Sequence, residues 1–115
     1  MIVREIVQAL NLQVVAASAA LDKPLSGGYC ADMLSCVMAR AKSGNAWVTL
    51  QAHPNVIAVA ALLELTVVIV TEGAPIADEV IAKANAENIA LLSTPHTTFW
   101  VVGELAKLGI QAQES

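Results

Sequence analysis

The sequence predicts an α/β fold of three layers, in which a mostly parallel sheet carries helices on both faces. From residue 46 onward, strand patterns alternate with helix patterns at the spacing of crossover connections. The run from Thr66 to Val70 is β-branched throughout, which is typical of a central strand buried on both faces. At 115 residues the chain has the length of one domain, so residues 1–115 are predicted to form a single domain.

The first part of the chain has two predicted helices and one predicted strand. Apolar residues at helical spacing predict a short helix over residues 2–10, and residues 12–17 have a strand pattern. A loop with paired glycines follows, and a second helix is predicted from about Cys30 to Lys42. Since Cys30 lies on the apolar stripe of that helix, its thiol is predicted to be buried.

The remainder contains three further strands and three further helices. Proline, favoured at the first position of a helix, opens two of these helices, and Asp78 and Glu79 in the first turn of one suit the helix dipole. The predicted strands are 47–50, 66–70 and 89–92, and the predicted helices are 54–65, a helix from Pro75, and 96–108.

The composition favours a homo-oligomer, most simply a two-fold dimer. Hydrophobic residues make up 57% of the chain and charged residues 14%, against about 25% charged in an average soluble domain. The helix from Pro54 is apolar around most of its circumference. If one stripe of this helix faces the sheet, the opposite side, with Ala58, Ala61 and Leu65, is exposed in a monomer. Trp100 is also expected to be exposed, because it lies on the same side of its helix as Glu104 and Lys107.

Several classes of protein are disfavoured. No apolar run approaches the roughly 20 residues that span a bilayer, and the N-terminus lacks the apolar core of a signal peptide. Two cysteines fit a reducing, cytoplasmic setting better than a disulfide framework. Ten acidic residues against six scattered basic ones give a net charge of −4, so nucleic-acid binding is not expected.

Polar residues collect where the predicted strands end. Gln51 and His53 follow one strand, and Thr94 and His96 follow the last. Since ligands of open parallel sheets bind beyond the carboxyl ends of the strands, these residues predict a ligand-binding edge. The alternative is that such residues only cap helices and close strand ends.

The paired glycines Gly27 and Gly28 precede a predicted helix. Backbone N–H groups of such a pair, with the helix N-terminus, can hold an anion. In a parallel sheet this turn is expected near the edge that carries the two histidines. The alternative is a turn or bulge that requires positive φ.

Sequence motifs of common enzymes are absent. The chain has no phosphate-binding Walker loop, no dinucleotide fingerprint and no G-x-S-x-G elbow. Five residues separate Cys30 from Cys36, outside the usual zinc spacing, so no metal and no cofactor is predicted. A small enzyme that uses His53 or His96 as acid or base stays an alternative, although spacing places no nucleophile or carboxylate pair beside either.

Two segments carry a resemblance to a known family. The stretch from Leu21 to Ser35, above all Ser26-Gly27-Gly28-Tyr29, resembles the signature of the DRTGG domain, with Lys23 and Ser26 at the positions of the family's Arg and Thr. The segment from Trp47 to Asn55 also matches. The resemblance implies a fold like the N-terminal, non-catalytic domain of HPr kinase/phosphorylase. It also implies an accessory role, as in DRTGG-like domains beside CBS pairs, and it supplies no catalytic residue.

Together these features predict a non-catalytic regulatory or assembly module. It is expected to form a homo-oligomer and to bind a small anionic ligand, a nucleotide or phosphorylated metabolite, at the carboxyl edge of the sheet. The alternatives are an accessory subunit of a larger metabolic complex, bound to a protein partner without a ligand of its own, and the small enzyme. The predicted ligand-binding residues are Ser26, Gly27, Gly28, Gln51, His53, Asn55, Thr94 and His96.

Overall fold

The computed structural model describes residues 1–114 as one five-stranded sheet flanked by five helices. The strands are β1 (Gln13–Ala16), β2 (Gly27–Cys30), β3 (Asn45–Thr49), β4 (Val67–Val70) and β5 (Ala90–Ser93). The helices are α1 (Val3–Leu10), α2 (Leu34–Arg40), α3 (Pro54–Leu62), α4 (Asp78–Glu87) and α5 (Thr98–Lys107).

The strands lie in the order β1-β5-β4-β3-β2. The four strands β2 to β5 are parallel, whereas β1 runs antiparallel to β5 with an irregular register between Val14 and Ala16. The predicted mostly parallel sheet is confirmed. Because the parallel strands follow one another in sequence and in space, the loops after β3, β4 and β5 meet at one edge of the sheet.

Helices cover both faces, so the three predicted layers are confirmed. On one face, α1 and α5 pack against side chains such as Val48 and Ile69. On the other, α2, α3 and α4 pack against Trp47 and Val68, their neighbours along the same strands. Every residue of β3 and β4 is buried, which is why the β4 sequence is apolar without alternation.

Local sequence explains where several helices begin and end. The Glu5 carboxylate accepts a hydrogen bond from the backbone N–H of Ile2 at 2.9 Å, which satisfies one donor at the start of α1. Asn11 and Asn88 end α1 and α4 in the left-handed conformation, with φ of 53° and 54°. Asparagine tolerates this conformation better than most residues, so both helices end there.

The segment around the paired glycines differs from the prediction. Gly27–Cys30 form strand β2 rather than a turn, and α2 begins only at Leu34. Cys30 is therefore the last residue of an edge strand and is exposed, so its predicted burial in a helix is wrong. The sequence Gly-Gly-Tyr-Cys has little intrinsic strand preference; it is held extended by β3 on one side and by a parallel bridge from Gly28 to Ala112 on the other.

The end of α3 also corrects a prediction. Leu65 is only 3% exposed, whereas Leu62 is 68% exposed. The helix ends at Leu62, and Glu64 adopts a left-handed conformation with φ of 58°, which turns the chain back toward β4. Leu65 therefore packs into the core instead of continuing the outer side of the helix.

Candidate functional site

Buried threonines build the carboxyl edge of the sheet. The Thr49 hydroxyl donates to the Asp32 carboxylate at 2.8 Å, and the hydroxyls of Thr71 and Thr98 lie 2.6 Å apart. Thr94 is buried and accepts a hydrogen bond from the backbone N–H of His96 at 3.2 Å. These threonines hold the loops in place, and Thr94 presents no exposed hydroxyl to a ligand.

His53 lies exposed on the loop after β3 and caps α3. Its Nδ1 accepts a hydrogen bond from the backbone N–H of Asn55 at 3.1 Å. A neutral imidazole that accepts at Nδ1 carries its proton on Nε2, so the ring presents an N–H donor at its outer side. Gln51 and Asn55 are exposed on either side of it. The capping alternative thus holds for His53, while its Nε2 makes no hydrogen bond within residues 1–114.

His96 forms an exposed aromatic stack with Trp100. The two ring centroids lie 3.8 Å apart with an interplanar angle of 21°. Phe99 beside them is 80% exposed. Thr97 caps α5 through the N–H of Trp100 at 3.2 Å, which fixes the start of the helix that carries the stack. This stack was not among the predicted features, although aromatic rings four residues apart at a predicted helix start are a signal for it.

The loop after β4 closes the edge between these two features. Glu72 and Gly73 adopt left-handed conformations, with φ of 63° and 64°. Their N–H groups donate to the carbonyl oxygens of His96 and Thr94 at 2.8 and 3.0 Å. The Glu72 carboxylate accepts from the N–H of Thr98 at 2.7 Å and so occupies the N-terminus of α5. Because this negative charge would repel an anion from the start of α5, an anion at this edge would bind more favourably near the loop after β3 and the start of α3.

The structure does not bring the glycines to this edge. Gly27 lies opposite Asn45, the first residue of β3, so Ser26, Gly27 and Gly28 are at the amino edge of the sheet. With a strand rise of about 3.3 Å per residue, the amino end of β3 is about 20 Å from Gln51. The prediction that the glycines and the histidines surround one site is wrong, because β2 is itself a strand and places them at opposite ends.

At the amino edge the glycines make room for the C-terminal segment, residues 110–114. The N–H of Gly28 donates to the carbonyl oxygen of Gln111 at 3.0 Å, so it is not free for an anion. A Cβ on Gly27 would lie 2.7 Å from that same oxygen. Neither glycine has a positive φ. Gly27 is therefore required for close approach of the backbone, whereas a Cβ on Gly28 would press on the Ile110 side chain at 3.2 Å, and neither glycine is required for a turn conformation.

Buried Asn45 fastens this segment to the sheet. Its side-chain N–H₂ group donates to the Ser26 hydroxyl at 3.1 Å and to the side-chain carbonyl of Gln113, while its oxygen accepts from the N–H of Lys42 at 2.9 Å. Ser26 also donates to the carbonyl oxygen of Ser43 at 2.8 Å. Ser26 was among the predicted site residues, whereas Asn45 and Gln113 were not, since residues 68 positions apart leave no local signal.

A hollow of about 490 Å³ opens at the same amino edge. Ser26 and Gly27 line it together with Met1, Glu5 and apolar residues of the chain after α5. It is therefore separate from the carboxyl edge, and the two groups of predicted ligand residues belong to two different places.

Cys30 does not have the environment of an activated nucleophile. Partial burial, and then the nearby Asp32 carboxylate, raise the pKa of the Cys30 thiol above its ordinary value, so less of it is thiolate at neutral pH.

Within residues 1–114, no group of three or more His, Cys, Asp or Glu side chains is placed to hold a metal ion.

No helix in residues 1–114 has both the length and the apolar character needed to cross a bilayer. A cytoplasmic location stays a prediction, and so does the assignment of residues 1–115 to one domain.

Comparison with known proteins identifies the family. Among solved structures, the chain is similar to the regulatory region of Clostridium perfringens pyrophosphatase, which contains CBS and DRTGG domains and was crystallised with its activator, diadenosine tetraphosphate. The similarity covers 87% of this chain and 44% of that chain, with a TM-score of 0.71 and 20% sequence identity. The predicted likeness to the N-terminal domain of HPr kinase/phosphorylase stays a prediction. No curated protein sequence matches the chain. The model of the DRTGG domain matches residues 5–108, so the chain belongs to the DRTGG domain family.

Proposed function

We propose that this protein is a non-catalytic regulatory module that binds a small anionic ligand of the nucleotide class at the carboxyl edge of its sheet. The exposed stack of His96 on Trp100 carries the proposal. An exposed aromatic face is a platform on which a nucleobase can stack. The pyrophosphatase region that shares the fold was crystallised with a dinucleotide activator, which supports this class of ligand.

The loop after β3 supplies the donors for the phosphate. The proposed contacts are the Nε2–H of His53 and the side-chain amides of Gln51 and Asn55, at the start of α3. Since β4 lies between β3 and β5, this loop and the one carrying His96 are two strand spacings apart, or about 10 Å. That separation suits a ligand with its base over Trp100 and its phosphates near His53. Thr94 supports the loop from beneath, and the three residues at the amino edge have no part in the site.

Tryptophan fluorescence tests this proposal directly. Trp100 is 36% exposed, whereas Trp47 is fully buried and donates its indole N–H to the carbonyl oxygen of Ala31. Titration with ATP or diadenosine tetraphosphate is expected to quench Trp100 and to raise the melting temperature. At a ligand concentration of 100 times Kd, the gain in unfolding free energy is about 2.7 kcal/mol. Trp100→Phe is expected to remove the quench.

His53 needs two variants, because it also caps α3. His53→Ala removes the cap and is expected to cost about 1 kcal/mol of stability in addition to any loss of binding. His53→Asn retains a capping oxygen and removes the imidazole. Its loss of ligand binding therefore reports on the imidazole without a loss of the α3 cap. If neither nucleotide nor inorganic phosphate at millimolar concentration changes fluorescence or melting temperature, the ligand proposal is wrong.

The same measurements separate the two alternatives. An accessory subunit without its own ligand shows no response to any of these compounds. A small enzyme would transfer phosphate from ATP, with activity lost on substitution of His53 or His96. We propose no such activity, because the His53 ring caps α3 and the His96 ring stacks on Trp100.

We further propose that the protein forms a homodimer through an exposed apolar surface. Leu62 at the end of α3 and Phe99 at the start of α5 are the two most exposed large apolar side chains in residues 1–114, and such side chains favour association. Sedimentation velocity at micromolar concentration is expected to show a dimer. Because α3 and α5 cover opposite faces of the sheet, these side chains mark two separate surfaces, and only one of Leu62→Glu and Phe99→Ser is expected to yield a monomer. Ala19→Glu, at an exposed position in the turn after β1, should leave the dimer intact. A monomeric wild-type protein would contradict the proposal.

A further inference from the structure

An apolar cleft lies on the face of the sheet covered by α1 and α5, between the edge strand β2 and α5. Its volume is about 290 Å³. Gly28 and Cys30 pair with Ala46 and Val48, whose side chains belong to the core on that face. Paired residues of neighbouring strands point to the same face, so Cys30 forms part of the cleft floor. Helix α5 and the C-terminal segment form the walls, with Val102, Leu105, Ala106, Ile110, Gln111 and Ala112.

The chemistry of the lining is neutral throughout. None of the described residues that line the cleft is acidic or basic. Partial burial raises the pKa of the Cys30 thiol, which favours its neutral form. A methyl group of Ile110 lies 3.2 Å from the position that a Cβ of Gly28 would take, and the N–H of Gly28 is already bonded to Gln111. The described lining is thus mostly apolar and has no unpaired backbone donor at Gly28.

We propose that this cleft is a binding site for a small, neutral, apolar molecule. Val102 and Leu105 of α5, together with Ile110, give such a molecule an apolar contact surface. The cleft volume is near the lower limit of about 300 Å³ for ordinary ligand pockets. The absence of charge along the described lining disfavours anions, so the ligand differs from the nucleotide proposed for the carboxyl edge. The site goes beyond the proposed function and shares none of its residues.

The test uses the neutral fluorescent probe N-phenyl-1-naphthylamine with the full chain. Saturable one-to-one binding with a rise in fluorescence is expected. Ala106→Leu fills the cleft from an exposed position on α5, and it is expected to weaken binding by about tenfold or more. Ala82→Leu, at an exposed position of α4 on the opposite face, is the matched control and should bind as wild type does.

Alkylation of the two cysteines gives a second readout. Bound probe is expected to slow the reaction of iodoacetamide with Cys30 and to leave the reaction with Cys36, in α2, unchanged. Trp100→Phe should leave probe binding intact, and Ala106→Leu should leave the nucleotide quench intact, so the two proposals fail separately. Absence of saturable binding, or equal binding by folded Ala106→Leu, would overturn the proposal. A dimer that Ala106→Leu dissociates would also overturn it, since a second copy would then occupy the cleft.

Discussion

Replacement of Gly27 by valine is expected to destabilise the protein by about 2 kcal/mol. The new Cβ would lie 2.7 Å from the carbonyl oxygen of Gln111 and 2.9 Å from a side-chain carbon of Gln113. The first of these is backbone, which cannot move away without releasing the C-terminal segment from β2. Urea denaturation measures the loss, and hydrogen exchange at the N–H of Gly28 should accelerate as its bond to Gln111 opens.

Gly103→Ala is the matched control for this experiment. Gly103 is exposed inside α5, and a Cβ there has no heavy atom within 4 Å. Alanine is favoured over glycine in a helix, so this variant is expected to gain about 0.5–1 kcal/mol. Equal stabilities of Gly27→Val and the wild type would show that the C-terminal segment does not rest on β2.

Asn45→Ala is expected to cost about 3 kcal/mol of unfolding free energy. The substitution removes the three side-chain hydrogen bonds of Asn45, which is only 1% exposed, and leaves the N–H of Lys42 without its acceptor. It therefore loses more than the strength of one hydrogen bond. Chemical denaturation measures the effect, and the slope against denaturant should stay unchanged if the fold is retained.

Asn55→Ala is the control for Asn45. Asn55 is exposed in the first turn of α3, and its side chain makes no hydrogen bond within residues 1–114. Its replacement is expected to change stability by less than about 0.5 kcal/mol. If both asparagine variants unfold at the same denaturant concentration as the wild type, the Ser26–Asn45–Gln113 cluster does not contribute to stability.

The carboxyl edge could be predicted in part from local sequence. Polar residues directly after buried strands, with the parallel arrangement, placed His53 and His96 at one edge, where the structure has them. The roles of individual side chains depended on finer geometry. Thr94 is buried and its hydroxyl accepts a hydrogen bond from the backbone N–H of His96. The ring of His96 stacks on the ring of Trp100. Sequence spacing does not decide which of two neighbouring side chains turns toward solvent.

The sequence by itself determined the alternation of strands and helices, the burial of β4 on both faces and the residue pattern of the carboxyl edge. These properties follow from periodicity and from β-branched residues, which act over a few positions. The tertiary structure alone decided the state of Gly27–Cys30. Two glycines there are compatible with a turn or a strand, and pairing with β3 and contact with residues 111–113 select the strand. The contacts with residues 111–113 are more than 80 positions away in sequence, so local sequence could not predict the strand. As a strand, this segment places the glycines at the amino edge of the sheet and leaves Cys30 exposed.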